Sequence, residues 1–351
     1  MLFRSACWSS ILVLVVGCSP AGSVVDPPVG RMADRRLGFG VTEGTIGYEL
    51  AFAAAKHAGL QFVELPQQWD EVETSEGVFA SEFAAMADEV YPALDTEVVL
   101  SLNPIDTTAR RVPEHFDGFA WDDPRLIDGF CRWVDWTLNQ LPHTTVPAIS
   151  IGNEVDGYLS VHPGEIDAYA AFFAAVADRV RREHPAIELG CKMTFAGRTG
   201  AVADRLAAID RGADAVMITY YPLDDSFTVR EPSVVVDDVA TMVDLAGDRP
   251  VHVSEAGYPS GSTCGSSPAK QAAFVDALFD AWDRHVDAVR RVNLVWTCDL
   301  PSDQVDAMTS YYNVDSPAFA DYLATLGMRT TDGRGKPAWT RVRAAVAERA
   351  K

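Results

Sequence analysis

The sequence lacks the cysteine and histidine spacings that hold metal ions. Six cysteines and seven histidines are present, but they form neither a Cys-x-x-Cys pair nor a His-Glu-x-x-His segment. Those spacings supply the ligands of structural and catalytic zinc, so their absence argues against metal-dependent catalysis. No Gly-x-Gly-x-x-Gly segment opens the first predicted helix. We therefore predict no metal and no cofactor.

Basic residues and long apolar runs are also scarce. The chain has 29 Lys and Arg against 50 Asp and Glu, a formal net charge of −21 at pH 7. Nucleic acids and anionic membrane surfaces bind basic faces, so we expect neither as a partner. The apolar stretch at 11–16 is far too short to cross a bilayer, which argues against a transmembrane helix in the mature chain.

The N-terminal residues predict export. One basic residue precedes the apolar stretch, as in an export signal. The small residue before Cys18 resembles a bacterial lipoprotein signal, which implies removal of 1–17, lipidation of Cys18 and a membrane-anchored protein of the cell envelope. The alternative is an ordinary signal cleaved near Ala21, which would give a secreted protein. Residues 18–34 are rich in Pro, Gly and Ser without a period, and we predict a tether there.

Past the tether, short β-rich segments alternate with longer segments of helical period. Strands are predicted at 37–41, 61–65, 97–103, 146–153, 187–194, 215–220, 251–255 and 292–298. Helices are predicted at 45–59, 79–94, 124–141, 165–184, 201–212, 232–247, 267–285 and 336–350. Eight strand–helix units without a second compositional block or an internal repeat favour a single (β/α)8 TIM barrel over 35–351, rather than a doubly wound sheet.

Two glutamates stand at the ends of predicted strands. The fourth strand ends on Asn153 and Glu154, and the seventh ends on Glu255. In a barrel of this kind the strand ends form a shared bowl that holds the active site. Two carboxylates on opposite sides of one bowl are what glycoside hydrolysis requires, because one protonates the leaving oxygen and the other attacks the sugar or activates water. The alternative is that both merely accept hydrogen bonds from loop amides.

These segments resemble glycoside hydrolase clan A, the retaining (β/α)8 glycosidases. IGNEV and VSEAGYPS are similar to family 17 β-1,3-glucanases, and DAVMITYYP is similar to family 53 β-1,4-galactanases. The loop WDEVETSEGVF resembles the clan's W-x-x-x-E-x-x-x-G-x-F pattern, and GMRTTDGRGKPAW resembles its closing segment. The similarity runs from about residue 37 to residue 339.

The resemblance implies a retaining β-glycosidase that hydrolyses O-glycosidic bonds of a polysaccharide or oligosaccharide by double displacement. Glu154 would be the acid/base, Glu255 the nucleophile, and Asn153 the partner of the sugar 2-hydroxyl. Double displacement requires the two carboxyl groups to lie roughly 5 to 5.5 Å apart. A carbohydrate-binding or scaffolding lipoprotein that has lost turnover is the alternative function.

The resemblance also assigns aromatic residues. Tyr220 or Tyr221 would donate a hydrogen bond to Glu255, and we favour Tyr220. Trp296 would form the floor under the sugar, because an aromatic face packs on the apolar face of a pyranose. The clan's non-proline cis peptide would join Trp296 to Thr297.

Other aromatic residues lie in loops on the predicted catalytic side of the barrel. We expect substrate contacts from Trp69 and Tyr258, and consider Trp121 and Tyr158 as further candidates. The alternative for each is that it holds its loop against the barrel.

One position departs from the clan pattern. Clan members place an arginine near the end of the second strand, close to the nucleophile, whereas this chain has Glu64 in FVELP. A missing cation would leave Glu255 without one stabilising charge. Arg198 or Arg110, in loops on the same side, are the candidates to replace it.

Lysine and cysteine residues leave two further alternatives. Lys192, near the end of the fifth strand, could hold a Schiff base in a lyase. After export, Cys264 and Cys298 could form a disulfide, whereas Cys131 and Cys191 lie in apolar segments and are predicted to be buried thiols.

Overall fold

Continuous apolar segments form the strands because both of their faces are covered. Helices pack outside a parallel barrel and side chains fill its inside, so polar and apolar residues do not alternate. In AISIGN at Ala148–Asn153, the first five residues are buried. The computed structural model describes Met32 and residues 35–350. Its strands are β1 (Arg36–Gly40), β2 (Phe62–Gln68), β3 (Glu73–Ser75), β4 (Val78–Phe79), β5 (Glu97–Asp106), β6 (Ala109–Arg110), β7 (Ala148–Asn153), β8 (Glu188–Gly190), β9 (Lys192–Thr194), β10 (Val216–Tyr220), β11 (Val251–Ala256) and β12 (Val289–Val295).

The strands close into one barrel. Parallel pairing follows the order β8-β7-β5-β2-β1-β12-β11-β10-β9. The predicted fifth strand is split at Cys191 into β8 and β9; β8 pairs with β7, and β9 pairs with β10, which completes the ring. The single (β/α)8 barrel predicted from the sequence is confirmed, and each of the eight predicted strands is present.

Amphipathic segments form the helices around the barrel. In the helix Pro124–Asn139, Leu126, Phe130 and Val134 recur at a spacing of four residues and are buried. Asp123 caps its N-terminus by accepting a 2.9 Å hydrogen bond from the amide of Arg125. The helices are α1 (Tyr48–His57), α2 (Trp69–Val72), α3 (Glu82–Ala93), α4 (Pro124–Asn139), α5 (Val155–Val161), α6 (Ile166–Glu183), α7 (Phe195–Thr199), α8 (Ala203–Asp210), α9 (Val235–Ala246), α10 (Pro268–Arg284), α11 (Ser302–Tyr312), α12 (Pro317–Thr325) and α13 (Pro337–Arg349).

Two of these helices form an insertion that the sequence did not predict. Between β12 and α13 the chain adds α11 and α12, and we refer to residues 299–329 as the α11–α12 insertion. Apart from Met328, its largest buried apolar residues form, together with Val295 of β12, a cluster separate from the main core. The members of that cluster are Val295, Leu300, Val305, Phe319, Tyr322, Leu323 and Leu326. The insertion therefore has a small core of its own at the end of the eighth barrel strand.

The predicted signal segment, Cys18 and, except for Met32, the predicted tether lie outside the described residues. Lipidation and anchoring thus stay predictions. Met32 is 1% exposed and packs in the main core, and its carbonyl accepts a 2.9 Å hydrogen bond from the amide of Arg35. In the described part of the chain, no helix is long and apolar enough to cross a membrane.

The four described cysteines are buried free thiols. Cys264 and Cys298 therefore do not form the disulfide that the sequence left open. The Cys264 thiol donates to the carbonyl of Gly261 in its own loop, whereas the Cβ of Cys298 lies against Gly44, in the loop after β1. Burial raises the pKa of both thiols to about 11. The expectation of buried thiols at Cys131 and Cys191 is confirmed.

Candidate active site

The chain end of β7 turns Glu154 into the bowl formed by the strand ends. Glu154 has φ 43° and ψ 46°, the left-handed backbone conformation, which costs a residue other than glycine about 1 to 2 kcal/mol. Gly152, two residues earlier, has φ 91°. Strained backbone of this kind persists where the surrounding structure holds it, and it concentrates at functional sites. This strained turn explains why an apolar strand ends on two polar side chains.

The Glu154 carboxyl group is held between two threonines. Its Oε1 accepts a 2.7 Å hydrogen bond from Thr219 Oγ1, and its Oε2 accepts a 3.3 Å bond from Thr107 Oγ1. Burial, and then the negative charges of Glu255 and Asp156, raise the pKa of Glu154 to about 8. A carboxyl group with this pKa keeps its proton at neutral pH and can act as a general acid.

Two donors fix the Glu255 carboxylate on the opposite side of the bowl. Tyr221 donates its hydroxyl proton to Oε2 at 2.5 Å, and Lys192 Nζ lies 3.5 Å from Oε1. The two carboxyl groups are close enough that the charge of Glu255 contributes to the raised pKa of Glu154. The bowl thus holds one carboxyl group that keeps its proton and, facing it, a second carboxyl group that is oriented by two donors.

Lys192 supplies the cation that the sequence pattern lacked. Its side chain is 1% exposed, and Nζ donates to Glu64 Oε1 at 2.5 Å as well as facing Glu255. Burial alone would lower the pKa of Lys192, but the carboxylates of Glu64 and Glu255 outweigh it and hold that pKa above its usual range. For Glu64, burial raises the pKa and Lys192 opposes the rise. The ammonium therefore stays charged between the two carboxylates.

The other roles suggested for Lys192 and for two arginines do not fit this geometry. A Schiff base requires a neutral amine, so the charged Lys192 does not support the lyase alternative. Arg198 is buried in an ion pair with Asp210, away from Glu255. Arg110 donates to the carbonyl of Phe119 at 2.7 Å. The expectation that either arginine replaces the missing one is wrong, because both are committed to other partners.

Asn153 is oriented by a network that reaches across the bowl. Its Nδ2 donates to Asp106 Oδ1 at 2.8 Å. The other oxygen, Asp106 Oδ2, accepts from Gln68 Nε2 at 3.1 Å and from the hydroxyl of Tyr311 at 2.7 Å. Asn153 Oδ1 is buried and has no hydrogen-bond partner among the described residues. That oxygen therefore has an unused acceptor position beside Glu154.

Tyr221, not Tyr220, contacts the predicted nucleophile. Successive side chains of a strand point to opposite faces, and at the end of β10 Thr219 and Tyr221 both face the bowl. Tyr220 points outward, and its hydroxyl donates to Asp238 Oδ2 of α9 at 2.7 Å. The preference for Tyr220 was therefore wrong by one residue, because the phase of the strand decides which tyrosine enters the bowl.

Trp69 holds its loop against the barrel and does not reach the bowl. It is completely buried, and its ring stacks on Trp133 with centroids 6.0 Å apart. Its Nε1 donates to Glu73 Oε2 at 2.6 Å, while Glu73 Oε1 accepts from the amide of Gly77 at 2.8 Å. The W-x-x-x-E-x-x-x-G pattern is thus a loop brace, and the expected substrate contact of Trp69 is wrong.

Tyr258 and the two other candidate aromatics are also committed elsewhere. Tyr258 is buried and donates to the carbonyl of Arg230 at 2.7 Å, so its expected contact with substrate is wrong. Trp121 and Tyr158 are buried and both donate to Glu165. Trp121, Tyr158 and Tyr258 therefore stabilise loops.

Trp296 lies at the edge of the bowl, directly after β12. It is half-buried, packs against the apolar cluster of the insertion, and approaches Gly40 so closely that a Cβ there would lie 3.0 Å from its Cδ1. The cis peptide joins Val295 to Trp296, one bond earlier than predicted. The place of Trp296 beside the end of β1 is compatible with a floor for a sugar.

Three tyrosines of the insertion lie close to the bowl and were missed in the sequence. Tyr311 donates to Asp106. Burial raises the pKa values of Tyr312 and Tyr322, and the charges of Glu154 and Glu255 add to both rises. In the sequence, these tyrosines were indicated only by the adjacent pair Tyr311 and Tyr312 in a polar segment.

A group of possible metal ligands lies outside the bowl. Ligand atoms of Asp135, Glu183 and His184, on and just after α4 and α6, lie within 4.8 Å of one another. Arg179 already pairs with Asp135 at 2.8 Å and with Glu183 at 3.5 Å. The two acidic groups there are ion-paired with Arg179. The bowl itself is built from carboxyl, amide, ammonium and hydroxyl groups.

Comparisons with known proteins agree with this fold. No family model matches the sequence, and no curated protein matches it. Solved structures do match. An exo-β-1,4-mannosidase from Opitutaceae bacterium strain TAV5 superposes with a TM-score of 0.66 at 14% identity, covering 93% of this chain and 63% of the mannosidase. This chain therefore spans less than two thirds of the length of that protein.

Two further matches cover the relatives more fully. A GH5_18 protein from Streptomyces cattleya, in complex with GlcNAc, has a TM-score of 0.68 at 17% identity, covering 91% of this chain and 81% of that one. The GH53 catalytic domain of Ignisphaera aggregans has a TM-score of 0.58 at 17% identity, with coverages of 93% and 99%. In fold, this chain is similar to glycoside hydrolases of clan A, the group that its strand-end motifs resemble.

Proposed function

We propose that this protein is a retaining β-glycosidase that hydrolyses O-glycosidic bonds of an oligosaccharide or polysaccharide by double displacement. The observation that carries the proposal is a carboxyl group, Glu154, whose pKa of about 8 keeps it protonated opposite a carboxylate, Glu255, oriented by Tyr221 and Lys192. A protein that only binds sugar would not need this division between one protonated and one oriented carboxyl group.

In the first step, the sugar lies in the bowl with Trp296 beneath it and its 2-hydroxyl on Asn153 Oδ1. Glu154 transfers its proton to the glycosidic oxygen while Glu255 attacks the anomeric carbon. The bond between that carbon and the glycosidic oxygen breaks, and its electron pair leaves with the oxygen as an alcohol. A glycosyl ester on Glu255 and an ionised Glu154 remain.

In the second step, Glu154 acts as the base. Esterification removes the negative charge of Glu255, which is one cause of the raised pKa of Glu154. The pKa of Glu154 should then fall, so that its carboxylate persists long enough to take a proton from water. The hydroxide attacks the anomeric carbon from the side of the departed alcohol and releases Glu255, and the configuration is retained.

The test is a panel of nitrophenyl β-glycosides followed by proton NMR. The GlcNAc and Manβ1-4GlcNAc complexes of structural neighbours make β-glucosaminides and β-mannosides the first sugars to try. We expect one sugar to be hydrolysed, with the β-anomer of the product appearing first, and no turnover by Glu255→Gln. The α-anomer appearing first would contradict double displacement. Sugar binding without any turnover would favour the non-catalytic alternative.

The two adjacent tyrosines offer a matched pair of variants. Tyr221→Phe removes the hydroxyl that donates to Glu255, and it should lower kcat/KM about 10- to 100-fold, since a hydrogen bond to a charged group is worth about 1.5 to 3 kcal/mol. Tyr220→Phe removes the bond to Asp238 outside the bowl and should reduce stability while leaving kcat/KM near the wild-type value. Equal losses of kcat/KM in both variants would contradict the assignment.

A further inference from the structure

The α11–α12 insertion crosses one side of the bowl. The chain leaves β12, the eighth barrel strand, and the last turn of α11 carries Tyr311, which is bound to Asp106, the last residue of β5, the third barrel strand. Only β1 and β2 lie between β12 and β5 in the ring. The insertion therefore spans the sector between β12 and β5, which contains β1 and β2, and Tyr311 ties it to the β5 side of that sector.

Arg111 links Tyr311 to the short helix that follows β2. Arg111 NH1 donates to the hydroxyl of Tyr311 at 3.2 Å. The same guanidinium binds Asp70 and Glu71 of α2, the short helix that follows β2. Tyr311 is thus fixed by an anion from the third strand and by a cation anchored on the second.

Packing holds the insertion in this place. Val305 of α11 and Phe319 of α12 are buried in the apolar cluster of the insertion. Tyr312 packs edge-on against Phe319 with ring centroids 5.9 Å apart, and it lies near enough to Glu154 and Glu255 to feel both charges. The insertion is therefore a wall of the bowl, built onto the end of β12.

The orientation of a bound sugar follows from the acid. Glu154 is held between Thr219, on the sixth barrel strand, and Thr107, after the third. The leaving group must approach Glu154, on that side of the bowl, so the opposite end of the sugar ring points toward the ends of β12, β1 and β2. A longer chain on the non-reducing side would have to leave through the sector that α11 covers.

We propose that the α11–α12 insertion restricts this enzyme to exo action, removing single sugars from the non-reducing end of β-linked oligosaccharides. The inference rests on the proposed function and adds the substrate class. Tyr311 is the specificity-determining residue, because its contacts with Asp106 and Arg111 fix the far end of α11 and so hold the helix across the sector through which a longer glycone chain would extend.

Product analysis on oligosaccharides labelled at the reducing end tests the proposal. The substrate is a β-linked pentasaccharide of whichever sugar is accepted as a nitrophenyl glycoside. We expect the label to appear first on the tetrasaccharide and then on the trisaccharide, with free monosaccharide as the sole unlabelled product. Early label on mono- or disaccharide, with larger unlabelled fragments, would show internal cleavage and overturn exo action alone. If neither nitrophenyl glycosides nor β-linked oligosaccharides were hydrolysed, both the proposed function and this inference would be overturned.

A variant of Tyr311 tests whether this residue is the cause of exo action. In Tyr311→Ala the ratio of internal to terminal cleavage should rise about tenfold, the size of effect that a change in pocket shape produces. The matched control is Ala307→Ser, exposed on the same helix, which should keep the wild-type ratio. Circular dichroism confirms that both variants are folded. An equal ratio in Tyr311→Ala and Ala307→Ser would contradict the blocking role.

Discussion

The Glu154→Gln variant is expected to lose turnover according to the leaving group of the substrate. An alkyl glycoside needs the proton that Glu154 supplies, and its kcat/KM should fall about 10²- to 10⁴-fold. A glycoside of an acidic phenol departs with little protonation, so its bond cleavage should be far less affected. Steady-state kinetics on the two substrate classes measures the difference.

The pH dependence of the wild type provides a second measurement of the same group. Burial and the nearby charges of Glu255 and Asp156 raise the pKa of Glu154 to about 8. The acid is active when protonated, so kcat/KM should fall as the pH rises through about 8. Glutamine does not titrate, and Glu154→Gln should lack this alkaline decline.

Azide tests the second step. A glycosyl ester on Glu255 can be attacked by azide without a base, so added azide should speed turnover of aryl glycosides by Glu154→Gln and yield a β-glycosyl azide. Glu76→Gln, exposed in the turn before β4, is the control and should behave as the wild type. Equal losses for both leaving groups and no azide product would contradict the role of Glu154.

The barrel and the placement of its two glutamates were predictable because they follow from local patterns. Eight apolar runs mark strands that are buried on both faces, and parallel strands in a barrel bring their carboxyl ends together. Asn153, Glu154 and Glu255 follow directly from where the fourth and seventh runs stop. The barrel and the positions of these residues could be predicted without knowing which side chains meet across the barrel.

Contacts between distant segments could not be predicted in this way. Lys192 and Glu64 meet although 128 residues separate them, and a cation expected on the second strand comes instead from the fifth. The assignment of Tyr220 failed because a shift of one residue exchanges the two faces of a strand. The substrate contact expected for Trp69 was wrong because its position in a loop does not reveal that its ring nitrogen donates to Glu73.

The insertion was missed because its first helix, α11, buries few side chains. Along α11 only Val305 is buried, so the segment shows no continuous apolar face to distinguish it from a polar loop. Its position across the bowl depends on the pairing of Tyr311 with Asp106, 205 residues away. The part of the site that decides substrate length is therefore the part that the sequence pattern reveals least.

Removal of the buried ammonium should affect both stability and activity. Lys192→Met leaves Glu64 and Glu255 facing one another without the cation that now contacts both. Breaking a buried ion pair by removing one partner costs about 3 to 5 kcal/mol, and we expect a loss of that size in the free energy of unfolding at pH 7. Urea titration followed by circular dichroism measures this loss. The dependence of the unfolding free energy on urea concentration should be the same as in the wild type.

The pH profile of Lys192→Met distinguishes an electrostatic role from a purely structural one. Burial raises the pKa of Glu64, Lys192 lowers it and the charge of Glu255 raises it, so the variant should raise the pKa of Glu64 further. The acidic decline of kcat/KM should then move to higher pH, because the proposed nucleophile loses the cation beside it. Lys192→Arg keeps the charge and should keep the wild-type profile. Adding Glu64→Gln to Lys192→Met removes one of the facing charges and should recover part of the stability. An unmoved acidic decline in Lys192→Met, or a double variant no more stable than the single one, would mean that Lys192 does not control the charge of this pair.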